Sequence, residues 1–163
     1  MILSAYVNCA FIAANLLGGD AQHDVQFRER VSVCAQLTIE AVAQGVDPSL
    51  AIAVSWGETR LTRAEAPNPY DCVGPLQIKY RYWCPNENGA WSADRADGTL
   101  DGCDTLARGV FTLKYYTSRH KDVRRALCAY GWGRCDTSTR ARHVDATLRT
   151  QRRVAKLLRQ KRF

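Results

Sequence analysis

Apolar residues recur at every third or fourth position in stretch after stretch of this chain, a period that helices bury and strands do not. Near the start, Ile2, Leu3, Tyr6, Cys9 or Ala10, Ala13, Leu16 and Leu17 fall on one helical face, with Asn8 and Asn15 off it. Phe27, Val31, Cys34, Thr38, Ala41 and Val42 define a second amphipathic helix that should end near Gly45. Leu106, Val110, Leu113 and Thr117 predict another, capped by Asp101 or Asp104, and residues 123–130 a short one stopped by Gly131 and Gly133. In the last stretch Val144, Leu148, Val154 or Ala155 and Leu158 share one side, with Arg149, Arg152, Arg153, Lys156 and Arg159 over the others. The expected fold is therefore mainly α, with at most a short β-hairpin near Gln77. A length of 163 residues and 46% apolar composition suit one compact domain with its own core. It divides into N-terminal helices over 1–46, a central part over 47–133 and a basic C-terminal helix over 134–163.

The helix with the clearest start also carries a candidate catalytic acid. Asp47 is a preferred N-cap, and Pro48 at the first helical position gives up only an N–H that would lack a partner there. Leu50, Val54, Glu58 and Leu61 then recur at helical spacing, setting one carboxylate among three aliphatic side chains. Burial disfavours the ionised carboxyl, so a Glu in such a place would hold its proton to higher pH and could donate it near neutrality. An ordinary charged residue at a helix end is the plain alternative.

The segments beyond Glu58 shift that balance. A turn-rich loop leads to Gly74-Pro75-Leu76-Gln77-Ile78; further on come Asp101-Gly102-Cys103-Asp104-Thr105-Leu106-Ala107-Arg108-Gly109 and Ala129-Tyr130-Gly131-Trp132-Gly133. With Glu58-Thr59 at their head, these segments resemble, in order and spacing, the E-S, G-L-M-Q-I, D-P-x-x-N-I-x-x-G and A-Y-N-x-G motifs of the soluble lytic transglycosylases. These belong to the lysozyme-like superfamily, and the likeness is strongest to small secretion-associated and phage-borne members. It runs from about 47 to 133, roughly half of the chain. Thr105 stands where the family has asparagine, and so does Gly131.

The resemblance implies an α+β lysozyme-like fold and a chemistry. Glu58 would protonate the glycosidic oxygen between N-acetylmuramic acid and N-acetylglucosamine, passing through an oxocarbenium-like transition state. As a carboxylate it would then take the proton of the muramic C6 hydroxyl while that oxygen attacks C1, giving a 1,6-anhydro sugar without water. Gln77 would bond sugar or acetamido groups, Gly74 of the same segment would stand with it among the substrate-binding residues, and the Tyr130 hydroxyl would approach and orient the Glu58 carboxyl. Tyr82 and Trp83, with Tyr80, are candidates for stacking on sugar faces, although aromatic side chains after a loop more often pack a core. No cofactor is implied.

A hydrolytic alternative, resembling goose-type lysozyme, would need a second carboxylate about 6.5–9.5 Å from the first. Asp71 is the candidate. An alternative of another class is a virion or envelope structural protein with a degenerate lysozyme-like fold, which the changes at Thr105 and Gly131 would suit. No metal site is expected, since His23, His120 and His143 are scattered, and neither a nucleophile motif around Ser55 nor a phosphate loop is present.

The formal charge of +7 calls for an anionic partner. Peptidoglycan glycan strands in a bacterial periplasm or cell wall fit best, with delivery by a phage virion, a lysis system or secretion-complex proteins. Nucleic acid fits less well, because the C-terminal charge run shares its helix with an apolar stripe and reads as a solvated face. Seven cysteines without paired C-x-x-C spacing allow at most three disulfides and one free thiol, with connectivity open. Cys72 and Cys84 bracket the Gly74–Tyr82 segment, and Cys103, Cys128 and Cys135 lie around two predicted helices; several could equally be buried thiols. The first 19 residues lack a basic n-region and are interrupted by asparagines, which favours a retained helix over a cleaved signal. They are also too short and interrupted for a membrane span.

Overall fold

The computed structural model describes residues 2–133 and 135–160, the side chain of Ile2 excepted. Among these residues, seven α-helices and one small hairpin form a single mainly α domain. The order is α1 (Ile2–Leu17), a 3₁₀ turn (Gly18–His23), α2 (Phe27–Gln44), α3 (Pro48–Thr59), β1 (Cys72–Val73), β2 (Ile78–Lys79), α4 (Tyr80–Trp83), α5 (Thr105–Arg119), α6 (Val123–Trp132) and α7 (Ser138–Gln160). No described helix is long and apolar enough to cross a membrane.

α3 is the central post. Every residue from Ser49 to Val54 is buried, as is Ser55, so this helix is enclosed on all sides by its neighbours. α7 and α2 pack against it, α5 packs on α2, and Ile52, Leu37, Leu113, Val110 and Val154 belong to one buried core, each large aliphatic contributing about 1.5–3 kcal/mol. The Asp47 side chain accepts from the Ser49 N–H at 2.9 Å, the expected cap, and its second oxygen accepts from Gln151 of α7 at 3.0 Å.

The helix stops at Thr59, short of Leu61. Arg60 and Leu61 both turn left-handed, with φ of 58° and 63°, and this drops the Leu61 side chain back into the core at 0% exposure. Two such residues cost about 1 kcal/mol or more each. Arg30, itself buried, holds the turn by donating to the Arg60 carbonyl while pairing with Asp24 at 2.6 Å.

A second, aromatic core lies under the hairpin. The strands pair antiparallel, Cys72 opposite Lys79 and Val73 opposite Ile78, as the sequence leads one to expect near Gln77. Trp83 fills the cluster, stacked on Trp91 at 5.9 Å and meeting the edges of Tyr115 and Tyr116. Three disulfides brace the whole: Cys9–Cys34 joins α1 to α2, Cys84–Cys103 ties α4 to the approach to α5, and Cys128–Cys135 links α6 to the approach to α7. Cys72 is the free thiol.

Several elements differ in detail from expectation. α1 buries Ala5, Cys9, Ile12 and Ala13, leaving Leu3 and Tyr6 exposed, because its disulfide fixes the face that meets α2. α6 continues through Gly131 to Trp132, with Gly133 as its C-cap. Of the two expected caps for α5 it is Asp104 that serves, accepting from Leu106 and Ala107. On α7 the fully buried positions are Val144, Thr147, Val154 and Leu157, with Leu148 and Leu158 at the edge of the core.

Candidate functional site

The loop after β1 is where the motif-bearing segments meet. Gly74 has φ of +76°, and a Cβ there would stand 2.7 Å from the Thr105 Cβ. One turn along α5, a Cβ on Gly109 would stand 2.8 Å from Leu76 Cδ1, so both glycines let the loop lie directly on α5. Thr59, next to Glu58, donates to the Pro75 carbonyl at 3.0 Å, and the Tyr130 hydroxyl of α6 donates to the Leu76 carbonyl. Three segments distant in sequence, the end of α3, α5 and α6, are thus joined through one four-residue loop.

Below this junction runs a groove of about 970 Å³. Glu58, Gln77, Tyr82, Trp83 and Tyr130 line it together with Cys72, Lys79, Tyr70 and Trp132. Glu58 is the one carboxylate among the described lining residues. The expectation that it would be sunk among aliphatic side chains does not hold. α3 ends one residue later, so the side chain, 26% exposed, stands at the mouth of the core, with His143 Nε2 of α7 3.3 Å from its Oε1. That contact raises the His143 pKa above the usual imidazole value, against the opposing effect of partial burial.

Gln77 is held by the protein itself. Its carbonyl oxygen accepts from Asn68 at 2.8 Å and its amide donates to the Gly74 carbonyl at 3.1 Å, with φ at +49°. Tyr130 spends its hydroxyl hydrogen on Leu76 rather than on Glu58, leaving the oxygen able to accept. Burial first, and then the nearby Glu58 charge, push this phenol well above its usual range, so it stays protonated. Trp83 is mainly a core side chain, whereas Tyr82 is exposed at the groove. Asp71 pairs with Arg81 at 3.4 Å and is not part of the groove lining.

Two exposed aromatics that sequence reasoning did not single out, Tyr70 at 76% and Trp132 at 39%, stand on the groove rim. Their signal lies in the sequence, since each belongs to a segment already noted, the turn-rich loop and the Ala129–Gly133 stretch. His143 has no local signal; only the packing of α7 on α3 brings it to Glu58. The Cys72 thiol is raised in pKa chiefly by burial, with Lys79 opposing and Glu58 and Asp71 adding to the rise. Among the described residues, all five non-glycine positions with positive φ, Arg60, Leu61, Ala64, Asp71 and Gln77, fall in the segment between Glu58 and β2. Backbone strain gathers in this way beside functional sites. Among the described residues no three His, Cys, Asp or Glu side chains converge as metal ligands. No protein-family model, curated protein or solved structure matches the chain.

Proposed function

We propose that this chain is a lytic transglycosylase that cleaves the β-1,4 bond between N-acetylmuramic acid and N-acetylglucosamine in peptidoglycan, with Glu58 as its single acid and base. The observation that carries this reading is one carboxylate in a groove rimmed by exposed aromatics, with Asp71 engaged by Arg81 outside it. A water-activating hydrolase needs a second carboxylate across the sugar; a transglycosylase does not, because the substrate supplies the nucleophile.

The proton passes from Glu58 to the glycosidic oxygen as the C1–O bond breaks and N-acetylglucosamine leaves. The muramic C6 oxygen then closes on C1, and its proton returns to Glu58, restoring the enzyme. Tyr70, Tyr82 and Trp132 offer ring faces to sugar C–H groups. Gln77 and Tyr130 keep the loop beside the acid in one geometry, Gln77 through Asn68 and Gly74, Tyr130 through Leu76. Three disulfides and a charge of +7 fit an oxidising, anionic setting such as a bacterial periplasm or wall, reached with a phage or secretion machine.

The reading is tested by following the turbidity of purified peptidoglycan sacculi. The wild type should clear them, and Glu58→Gln should be slower by about a hundredfold or more. Equal clearing by both proteins would overturn it.

A further inference from the structure

We propose that His143 is the positioning residue for Glu58, holding the carboxyl at Oε1 from α7 and leaving Oε2 as the oxygen that meets the substrate. This rests on the transglycosylase reading above and adds to it a second side chain of the acid's machinery. Among the described residues, His143 Nε2 at 3.3 Å is the polar contact that Glu58 makes, so the carboxyl has no other anchor there.

The imidazole has further neighbours on α6 and α3. Its ring meets the Trp132 ring of α6 edge-on at 5.1 Å. The ring also lies against α3 at Gly57, where a Cβ would stand in ordinary van der Waals contact, 3.7 Å from His143 Cε1 and 3.4 Å from the Thr147 Oγ1. Thr147 in turn donates to the His143 carbonyl at 3.1 Å. The titratable groups near the ring are Glu58 from α3 and Tyr130 from α6, the latter neutral; Arg140, one turn earlier on α7, is committed to Asp136 and the Trp132 face.

The geometry matters for the acid step. As Glu58 gives up its proton, negative charge grows on its carboxyl, and an Nε2–H donor already in place stabilises that charge without reorganisation. A flexible Glu with no such contact would have to be ordered at the moment of reaction. His143 itself gains and loses no proton in the balance, which stays between Glu58 and the two sugar oxygens.

Two measurements test this. In steady-state digestion of peptidoglycan fragments, His143→Ala should lower kcat about ten- to a hundredfold while KM stays within about twofold. His143→Gln, whose amide N–H can reach the same oxygen, should recover most of the loss. In parallel, the His143 imidazole is titrated by NMR in the wild type and in Glu58→Gln; its midpoint should drop toward the ordinary histidine value in the variant. An unchanged kcat in His143→Ala, or a midpoint indifferent to Glu58→Gln, would overturn the proposal. Should the wild type prove inert on peptidoglycan, the transglycosylase reading fails by itself, and the titration still decides the pairing.

Discussion

Glu58 can be read from the sequence because its position follows from an N-cap, a proline and a helical period that all agree. Gly74 is legible for a similar reason, as the first residue of a recognisable segment, but why it must be glycine is visible only in three dimensions. Its φ of +76° and the 2.7 Å approach to Thr105 predict that Gly74→Ala lowers stability by about 1–3 kcal/mol, measured by urea unfolding. A variant as stable as the wild type would mean that the loop does not lie on α5. For the rim, Tyr70→Ala should raise KM severalfold and leave kcat nearly unchanged, since a ring that binds sugar equally before and during reaction contributes only to binding, whereas Trp132→Ala should lower kcat as well, because that ring also holds His143. Trp83→Ala should instead unfold the aromatic core, because that ring is 9% exposed and meets three other rings. The sequence places Tyr82 and Trp83 side by side with no way to tell which is the core residue; a one-turn helix separates their faces.

The elements are legible wherever a period and a stop signal coincide, as in α2 and α3, and less so where a tertiary link decides. α1 turns its Ala5, Cys9 and Ile12 face inward because Cys9 is bonded to Cys34, a pairing that no local pattern states. α3 and α7 form the most extensive helix pair, held at one end by Asp47 with Gln151 and at the other by Glu58 with His143. Asp47→Ala removes both the cap and the Gln151 bond, and should cost about 1 kcal/mol or slightly more by urea unfolding. At the other end the folded pKa of His143 is raised above the unfolded value of about 6.5. The stabilisation from this pair is therefore fully present below the unfolded value and is lost as the pH rises through the folded one. Thermal melts across that range should show the wild type losing more stability than Glu58→Gln; parallel curves would show that the two side chains do not interact.

At the scale of the molecule, the disulfides and the groove belong together. Cys84–Cys103 ties α4 to the approach to α5, and Cys128–Cys135 joins the segments on either side of the Trp132 rim, so reduction should loosen the groove as well as the fold. The loops closed by Cys9–Cys34 and Cys84–Cys103 span 25 and 19 residues, each worth about 3 kcal/mol in chain entropy. A reductant should accordingly lower Tm by several degrees or more, and an unchanged melting curve would speak against all three bridges. Mainly α architecture with a short hairpin is within reach of the sequence, because it depends on local period alone. The assembly of the groove is not, because it depends on Thr59, Leu76, Gly109 and Tyr130 meeting across the chain. The most direct measurement is mass analysis of the unreduced muropeptides released from peptidoglycan by the wild type and by Glu58→Gln. Products lighter by one water than reducing-end muropeptides, made by the wild type and lost in the variant, are the predicted result. Reducing ends, or anhydro products that persist without the Glu58 carboxylate, would contradict it.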